Sequence, residues 1–178
     1  GELVESFETG DFSYLPWEFS GDSDWTIQMF DASSGTYSAR SGLLTDANEG
    51  EYITSDMSLS ITTVEDGSIS FSAKTSCEDV GLSSGNYYDY LSFYIDGLEQ
   101  DKWAGENDWS NVSFSVPAGE HELMWRFTKD QGVSAGEDAV WIDNIVFPPC
   151  NNLSGSVLGD LNLDGDINVL DVVSLINM

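Results

Sequence analysis

The sequence predicts an all-β fold, an antiparallel β-sandwich with a short loop-and-helix appendage at its C-terminus. Short apolar or alternating runs separated by Gly, Ser, Asp and Asn clusters fill residues 1–148, as is typical of strands joined by turns. Helical periodicity is absent from that range. After it the sequence changes to "PPCNNLSGS", a composition typical of a linker. The predicted organisation is a sandwich over 1–148, a linker over 149–157 and an appendage over 158–178.

The strand prediction depends on alternation. In "HELMWRF", Leu123, Trp125 and Phe127 share one face, so that face is expected to lie in the core. Turn residues in "EDG", "IDG" and "PAGEH" stand where hairpins must reverse. The even spacing of the runs favours an antiparallel sandwich. The predicted strands cover residues 24–30, 51–59, 67–76, 89–96, 109–116, 121–130 and 139–147.

Charge limits the partners. The chain of 178 residues has 32 acidic and 5 basic side chains, for a net charge of -27. Such a chain repels nucleic acid phosphates and anionic membrane surfaces, so neither is an expected partner. It has no apolar run long enough to cross a membrane as a helix. Because it begins at Gly1 without a signal-peptide pattern, we expect a processed protein that is secreted, either extracellular or at the cell surface.

The cysteines predict one disulfide. Cys77 and Cys150 have neither CxxC nor Cys/His spacing, which argues against zinc and redox sites. Pairing with each other in an oxidising compartment is the expected alternative. Such a disulfide would tie the linker to the body of the sandwich.

The C-terminal stretch "GDLNLDGDINVLDVVSLINM" has the spacing of a calcium loop. A hard cation prefers several oxygen ligands, and a glycine at the sixth loop position permits the sharp turn. Position 7 normally contributes its backbone carbonyl, and an aspartate replaces the usual glutamate at position 12. The predicted ligands, at loop positions 1, 3, 5, 7 and 12, are Asp160, Asn162, Asp164, Asp166 and Asp171.

This stretch resembles one repeat of a dockerin, a small module of secreted bacterial proteins. The resemblance implies a calcium-bound loop followed by a helix. Dockerins carry two such repeats that pack together and bind a cohesin. Only one repeat is present here, and Val169 and Leu170 stand where many dockerins have Ser or Thr, which argues against cohesin as a partner.

The predicted terminal helix has an apolar stripe. Leu170, Val173 and Ile176 recur at helical spacing, and a single short helix is not stable alone in water. The stripe is expected to pack on the sandwich, on a missing second repeat or on another subunit. It therefore predicts self-association, or contact with a neighbouring extracellular protein, through this helix.

Three motifs carry a second resemblance, namely "SFETGDFSYLPWEFSGDSDW" at 6–25, "SGTYSARSG" at 34–42 and "WRFTKDQGVSAGEDAVWIDNIVF" at 125–147. With these motifs the chain is similar to the jelly-roll modules of cleaved adhesin, choice-of-anchor J and MAM-like proteins. The resemblance implies an antiparallel jelly-roll β-sandwich. It also implies a non-catalytic recognition or adhesion domain, often with structural calcium.

In such jelly rolls an acidic residue near the first strand and one in the last strand meet at a calcium ion. The matching positions here are Glu8 and Asp143. By period two, Asp143 shares a face with Trp141, Ile145 and Phe147, so its carboxylate is expected to point inward, which is costly without a partner. A cation would satisfy it. Hydrogen bonds from a turn at the strand end are the alternative, and both remain open here.

Aromatic residues raise a carbohydrate-binding hypothesis, since sugars stack on aromatic faces. Most of the six tryptophans are expected in the core. Trp103 in "EQDKWAGEND" is predicted to lie in a loop, and it is the candidate ligand contact together with Tyr87 and Tyr88.

Catalytic motifs are missing from the sequence. There is a single histidine, His121, and no GxSxG, HExxH or Cys/His arrangement, so no enzyme activity is predicted. The predicted function is a secreted, calcium-binding module for adhesion or assembly, including a role as a subunit of an extracellular filament or array. The alternative is a carbohydrate-binding module of a secreted enzyme.

Overall fold

A computed structural model describes residues 3–45 and 47–153 of the chain. These residues form twelve strands in two six-stranded sheets, with every pairing antiparallel. Within that part of the chain there is no helix, and hence none that could span a membrane. The all-β prediction is confirmed. The strands are β1 (Val4–Glu5), β2 (Glu18–Gly21), β3 (Thr26–Gln28), β4 (Ser38–Arg40), β5 (Ile53–Thr63), β6 (Gly67–Ser76), β7 (Tyr90–Ile95), β8 (Leu98–Trp103), β9 (Glu106–Val116), β10 (Gly119–Lys129), β11 (Ala139–Val146) and β12 (Cys150–Leu153).

The chain passes repeatedly between the two sheets. The first sheet has the order β3-β4-β11-β6-β9, with β1 also paired to β11. The second sheet has the order β12-β5-β10-β7-β8, with β2 also paired to β5. Between β7 and β8 the chain turns through Asp96 and Gly97, which both have positive φ, as a two-residue hairpin requires. This alternation places the apolar faces of the long strands opposite one another.

The core lies between the sheets and is centred on Trp125, which is fully buried. Its ring lies 4.9 Å from Phe93, 5.4 Å from Phe71 and 5.8 Å from Trp17, measured between centroids. Large aromatic side chains of this kind contribute most of the apolar area that a core buries. The predicted inward face of β10 is confirmed, because Leu123 and Phe127 are also fully buried.

A bulge changes the alternation of β11. Its pairing with β6 shifts register between Asp143 and Val146, and Asn144 has a φ of 49°. The core residues of β11 and the position after it are Val140, Ile142, Ile145 and Phe147. The residues that face the core are therefore even-numbered before the bulge and odd-numbered after it. Trp141 and Asp143, which precede the bulge, point away from the core. The prediction that Asp143 shares the face of the apolar residues after the bulge is wrong.

The last strand lies where a linker was predicted. In β12, Cys150 pairs with Thr63 and Leu153 pairs with Ile61 of β5. The sandwich therefore extends beyond the predicted boundary at residue 148. Residues 148–153, "PPCNNL", are rich in Asn and Pro and show no strand pattern in the sequence. The strand forms because it pairs with β5.

The predicted disulfide is not formed, because Cys77 and Cys150 are both free thiols. Cys77 directly follows Ser76, the last residue of β6. Cys150 pairs with Thr63, the last residue of β5, and therefore lies near the opposite end of β6. A strand of 10 residues is about 30 Å long at about 3.3 Å per residue. A disulfide needs Cα atoms within about 7 Å, so the fold excludes the predicted pairing.

Candidate functional site

Asp143, a predicted calcium ligand, is fully buried beneath the loop that joins β3 to β4. Its Oδ2 accepts N–H bonds from Ser33 at 2.8 Å and Ser34 at 3.1 Å, and its Oδ1 accepts one from Asn144 at 2.7 Å. Burial raises the pKa of Asp143, these N–H groups oppose that rise, and the nearby Glu8 carboxylate adds to it. Asp143 thus has the hydrogen bonds that the alternative predicts, but they come from the β3–β4 loop and the bulge rather than from a turn at the strand end.

Glu8, the second predicted ligand, holds the other side of the same loop. Its Oε1 accepts N–H bonds from Thr36 at 2.8 Å and Tyr37 at 2.9 Å, and these bonds lower the pKa of Glu8. Gly35 has a φ of +69°, and a Cβ there would lie 2.4 Å from that same oxygen. A Cβ at this position would displace the Glu8 carboxylate, and the positive φ also favours glycine. The structure thus brings both predicted carboxylates to one loop.

The groups around this loop suit a hard cation by their chemistry. Besides the carboxylates of Glu8 and Asp143, the side-chain oxygens of Ser34 and Asn144 lie there, 3.1 Å apart. An all-oxygen donor set is what calcium prefers. The carboxylates are also close enough for Glu8 to raise the pKa of Asp143, and a divalent ion would relieve that repulsion.

Another group of carboxylates, which the sequence did not predict, lies at one end of the sandwich. Ligand atoms of Glu78, Asp89 and Asp130 lie within 4.8 Å of one another. The fully buried ammonium of Lys129 is 3.1 Å from Asp89 and 3.0 Å from Asp138. Burial raises the pKa of Asp89 to about 6, against the attraction of Lys129. The Lys129 ammonium already supplies a positive charge to this cluster, which disfavours a metal ion there.

Trp103, a predicted ligand contact, packs against the core. It ends β8 rather than lying in a loop, and it is partly buried against the core cluster. Its ring is 6.3 Å from both Phe71 and Phe114, in edge contacts. The loop prediction is wrong because β8 has almost no apolar alternation, and the strand forms through its hairpin with β7.

Tyr87 and Tyr88 make contacts with different parts of the molecule. The Tyr87 ring packs edge-on against Tyr90 at 5.7 Å, and the Lys102 ammonium lies 4.8 Å from the Tyr87 ring centroid and 5.6 Å from that of Tyr90. Tyr88 instead places its hydroxyl 3.3 Å from Ser84 of its own loop. Of the predicted aromatic contacts, Tyr87 alone joins an aromatic group on the outer face of the second sheet.

Tyr94 extends this group along β7. The Arg126 guanidinium lies 5.7 Å from its ring centroid and binds Asp56 through two bonds, of 2.8 and 2.7 Å. The Tyr94 hydroxyl donates to Glu99 at 3.3 Å. All these side chains are partly exposed except that of Asp56, which is buried. We call this surface the tyrosine face and define it as Tyr87, Tyr90, Tyr94, Lys102 and Arg126.

The sequence contained a signal for this face. In "YLSFYI" the residues Leu91 and Phe93 are buried, so period two places Tyr90 and Tyr94 on the opposite side. The cationic members come from β8 and β10 and could not be placed without the sheet order.

The fold and this surface define the class of protein as a jelly-roll β-sandwich with a polar aromatic face on its second sheet. Among solved structures, the K3 cleaved adhesin domain of Lys-gingipain from Porphyromonas gingivalis is similar, with a TM-score of 0.55 and 14% identity over 82% of this chain and 98% of that chain. The K2 domain of the same protein gives 0.51 and 12% over 83% and 99%.

A carbohydrate-binding module has the same fold. TmCBM61, solved in complex with β-1,4-galactotriose, gives a TM-score of 0.54 and 19% identity over 80% of this chain and 94% of that chain. At such identities the likeness shows the fold alone. No protein-family model matches the sequence, and no curated protein matches it.

Proposed function

We propose that this chain is an extracellular, non-catalytic binding module that holds a glycan on its tyrosine face. The observation that carries the proposal is the gathering of three tyrosines with two cation–carboxylate pairs on one sheet surface. Aromatic rings offer an apolar surface with a polar edge, and charged pairs supply hydrogen bonds for hydroxyl groups. The β-1,4-galactotriose bound by TmCBM61, a module of the same fold, supports a glycan as ligand.

The test compares two aromatic substitutions on opposite sheets. Tyr94→Ala removes one of the three rings of the tyrosine face, whereas Phe30→Ala removes a side chain that is 93% exposed in the loop over the first sheet. In affinity electrophoresis through gels containing β-1,4-galactan or other plant glycans, Tyr94→Ala should weaken binding at least about fivefold, since an aromatic contact contributes about 1 kcal/mol. Phe30→Ala should bind as the unsubstituted chain does.

Two results would contradict this proposal. Loss of binding in Phe30→Ala with full binding in Tyr94→Ala would move the site to the first sheet. Failure of the unsubstituted chain to bind any glycan on a broad array would remove the function itself.

Calcium enters the proposal as a structural ion. Glu8 and Asp143 would hold it, with Ser34 and Asn144 as neighbouring oxygen donors, and its charge would offset the two carboxylates. Its role would be to fasten the β3–β4 loop to the first sheet. Because the tyrosine face lies on the other sheet, calcium should change stability more than glycan affinity.

The C-terminal calcium loop stays a prediction. Its ligands Asp160, Asn162, Asp164, Asp166 and Asp171, and the helix that follows, lie outside the described residues. Calcium titration of the whole chain tests it, because Asp160→Ala with Asp164→Ala should remove one bound ion while Asp143→Asn removes a different one. Size measurement with and without chelator tests the predicted self-association through the helix.

A further inference from the structure

We propose that the ligand of the tyrosine face is a neutral, hydroxyl-rich glycan rather than a uronate or sulfated polymer. The inference rests on the proposed function and names the chemical class that the same site selects. It is based on the ion pairs that the lysine and arginine side chains form.

Every lysine and arginine of the chain lies in the described residues, and there are 5 of them. Four are paired with carboxylates. Arg40, the fifth, donates to the backbone carbonyl of Glu137 at 3.4 Å and lies 5.5 Å from the Trp141 ring of the first sheet. The paired residues are Lys74 with Asp31, Lys102 with Glu99, Arg126 with Asp56, and Lys129 with Asp89 and Asp138. At the tyrosine face, an anionic polymer would therefore have to compete with Glu99 for Lys102 and with Asp56 for Arg126.

Carboxylates outnumber cations around the tyrosine face. Lys102 and Arg126 are already neutralised there, and Glu18 and Glu122 stand exposed at neighbouring positions that pair with β5. The chain as a whole carries -27. An approaching polyanion meets a repulsive potential at long range and carboxylates at short range.

The ion pairs keep hydrogen-bonding capacity that suits hydroxyl groups. A guanidinium has five N–H donors, and Asp56 takes bonds from two nitrogens of Arg126. Glu99 likewise contacts Lys102 at 3.1 Å while it accepts from Tyr94. A hydroxyl can accept from the cation and donate to the adjacent carboxylate at once. A carboxylate or sulfate on a sugar has no proton to donate, so it would face these oxygens without compensation.

The test uses pairs of polymers in which a carboxylate in one member is replaced by a hydroxyl group in the other. Hydroxyethyl cellulose is compared with carboxymethyl cellulose, and carboxyl-reduced polygalacturonate with polygalacturonate, by affinity electrophoresis of the whole chain. We expect the neutral member of at least one pair to bind, with less than about a twofold change between low and high salt. The charged member should bind at least about tenfold more weakly at low salt.

The outcomes separate this inference from the proposed function. Equal or tighter binding of the charged member, lost in Tyr94→Ala, would overturn the inference while the function stands. If no polymer and no glycan on an array binds, both fall.

A matched pair of substitutions tests whether the Lys102–Glu99 pair itself contributes to the preference for a neutral polymer. Glu99→Gln and Glu65→Gln each remove one negative charge, but Glu65 lies in the β5–β6 turn, away from the tyrosine face. Glu99→Gln should reduce the preference for the neutral polymer about threefold, because the pair with Lys102 is lost. Glu65→Gln should leave it unchanged. An equal effect of both would assign the preference to net charge and overturn the role of the ion pairs.

Discussion

Asp143 and Asp89 are both fully buried, yet they contact different partners. Asp143 accepts N–H bonds from the backbone of Ser33, Ser34 and Asn144. Backbone dipoles solvate its charge without cancelling it. Asp89 instead contacts the ammonium of Lys129 at 3.1 Å. A buried carboxylate with dipoles alone can still gain from a cation, whereas one with an ammonium has already been neutralised.

The largest effect should follow from removing the internal cation. Lys129→Met leaves Asp89 buried without its ammonium, and we expect it to lower the free energy of unfolding by about 3–5 kcal/mol. Urea unfolding followed by tryptophan fluorescence measures this loss. A loss below about 1 kcal/mol would mean that Asp89 does not depend on Lys129.

A second variant separates charge from packing. Adding Asp89→Asn to Lys129→Met removes the orphaned charge while the amide oxygen can still accept from the backbone of Asp130, which now donates to Asp89 at 3.0 Å. The double variant should recover about half of the loss, or about 2 kcal/mol. No recovery would assign the loss to packing.

The surroundings of Asp143 were partly predictable from the sequence, whereas those of Asp89 were not. The family resemblance predicts that Glu8 and Asp143 lie close together, and the structure brings both to one loop. The predicted β6 boundaries, 67–76, agree with the structure because alternation there is regular. The phase of Asp143 was wrong because a bulge leaves no mark in period two. The Lys129–Asp89 contact joins residues 40 positions apart, and only the packing of β10 beside β7 brings them together.

The next largest effect concerns the other aspartate. Asp143→Ala leaves backbone N–H groups without their acceptor, and we expect a loss of about 2–3 kcal/mol, since each buried unpaired group costs about 1–3 kcal/mol. Asp143→Asn, which keeps one acceptor oxygen, should lose less. Urea unfolding in calcium-free buffer measures both, and equal losses in the two variants would show that the hydrogen bonds contribute nothing specific.

Calcium should distinguish the two sites. At about 100 times its dissociation constant, a ligand stabilises the folded state by about 2.7 kcal/mol. Calcium should therefore raise the melting temperature of the unsubstituted chain and of Lys129→Met, and the rise should be smaller in Asp143→Asn. A calcium response that is the same in Asp143→Asn as in the unsubstituted chain would place the ion elsewhere.

A smaller effect is expected where the loop meets Glu8. Gly35→Ala adds a Cβ that would lie 2.4 Å from Glu8 Oε1, at a φ of +69°. We expect a loss of about 1–2 kcal/mol from the backbone conformation and the displaced carboxylate. Gly85→Ala is the control, because its φ is also positive but nothing lies within 4 Å of its Cβ. Equal losses in the two variants would show that contact with Glu8 has no cost.

The smallest effect is the dependence on pH, and its sign should depend on calcium. Without calcium, the folded state raises the pKa of Asp143 above its ordinary 3.8. Its contribution to stability is then complete below that value and declines as the pH rises through the raised pKa. With calcium the ion requires the ionised carboxylate, so the contribution should instead grow with rising pH. Urea unfolding of the unsubstituted chain and Asp143→Asn between about pH 4 and 6 should give a difference that falls with rising pH without calcium and grows with rising pH in its presence. The same sign in both buffers would mean that calcium does not bind the buried carboxylate, and the distinction between Asp143 and Asp89 would then lie in hydrogen bonding alone.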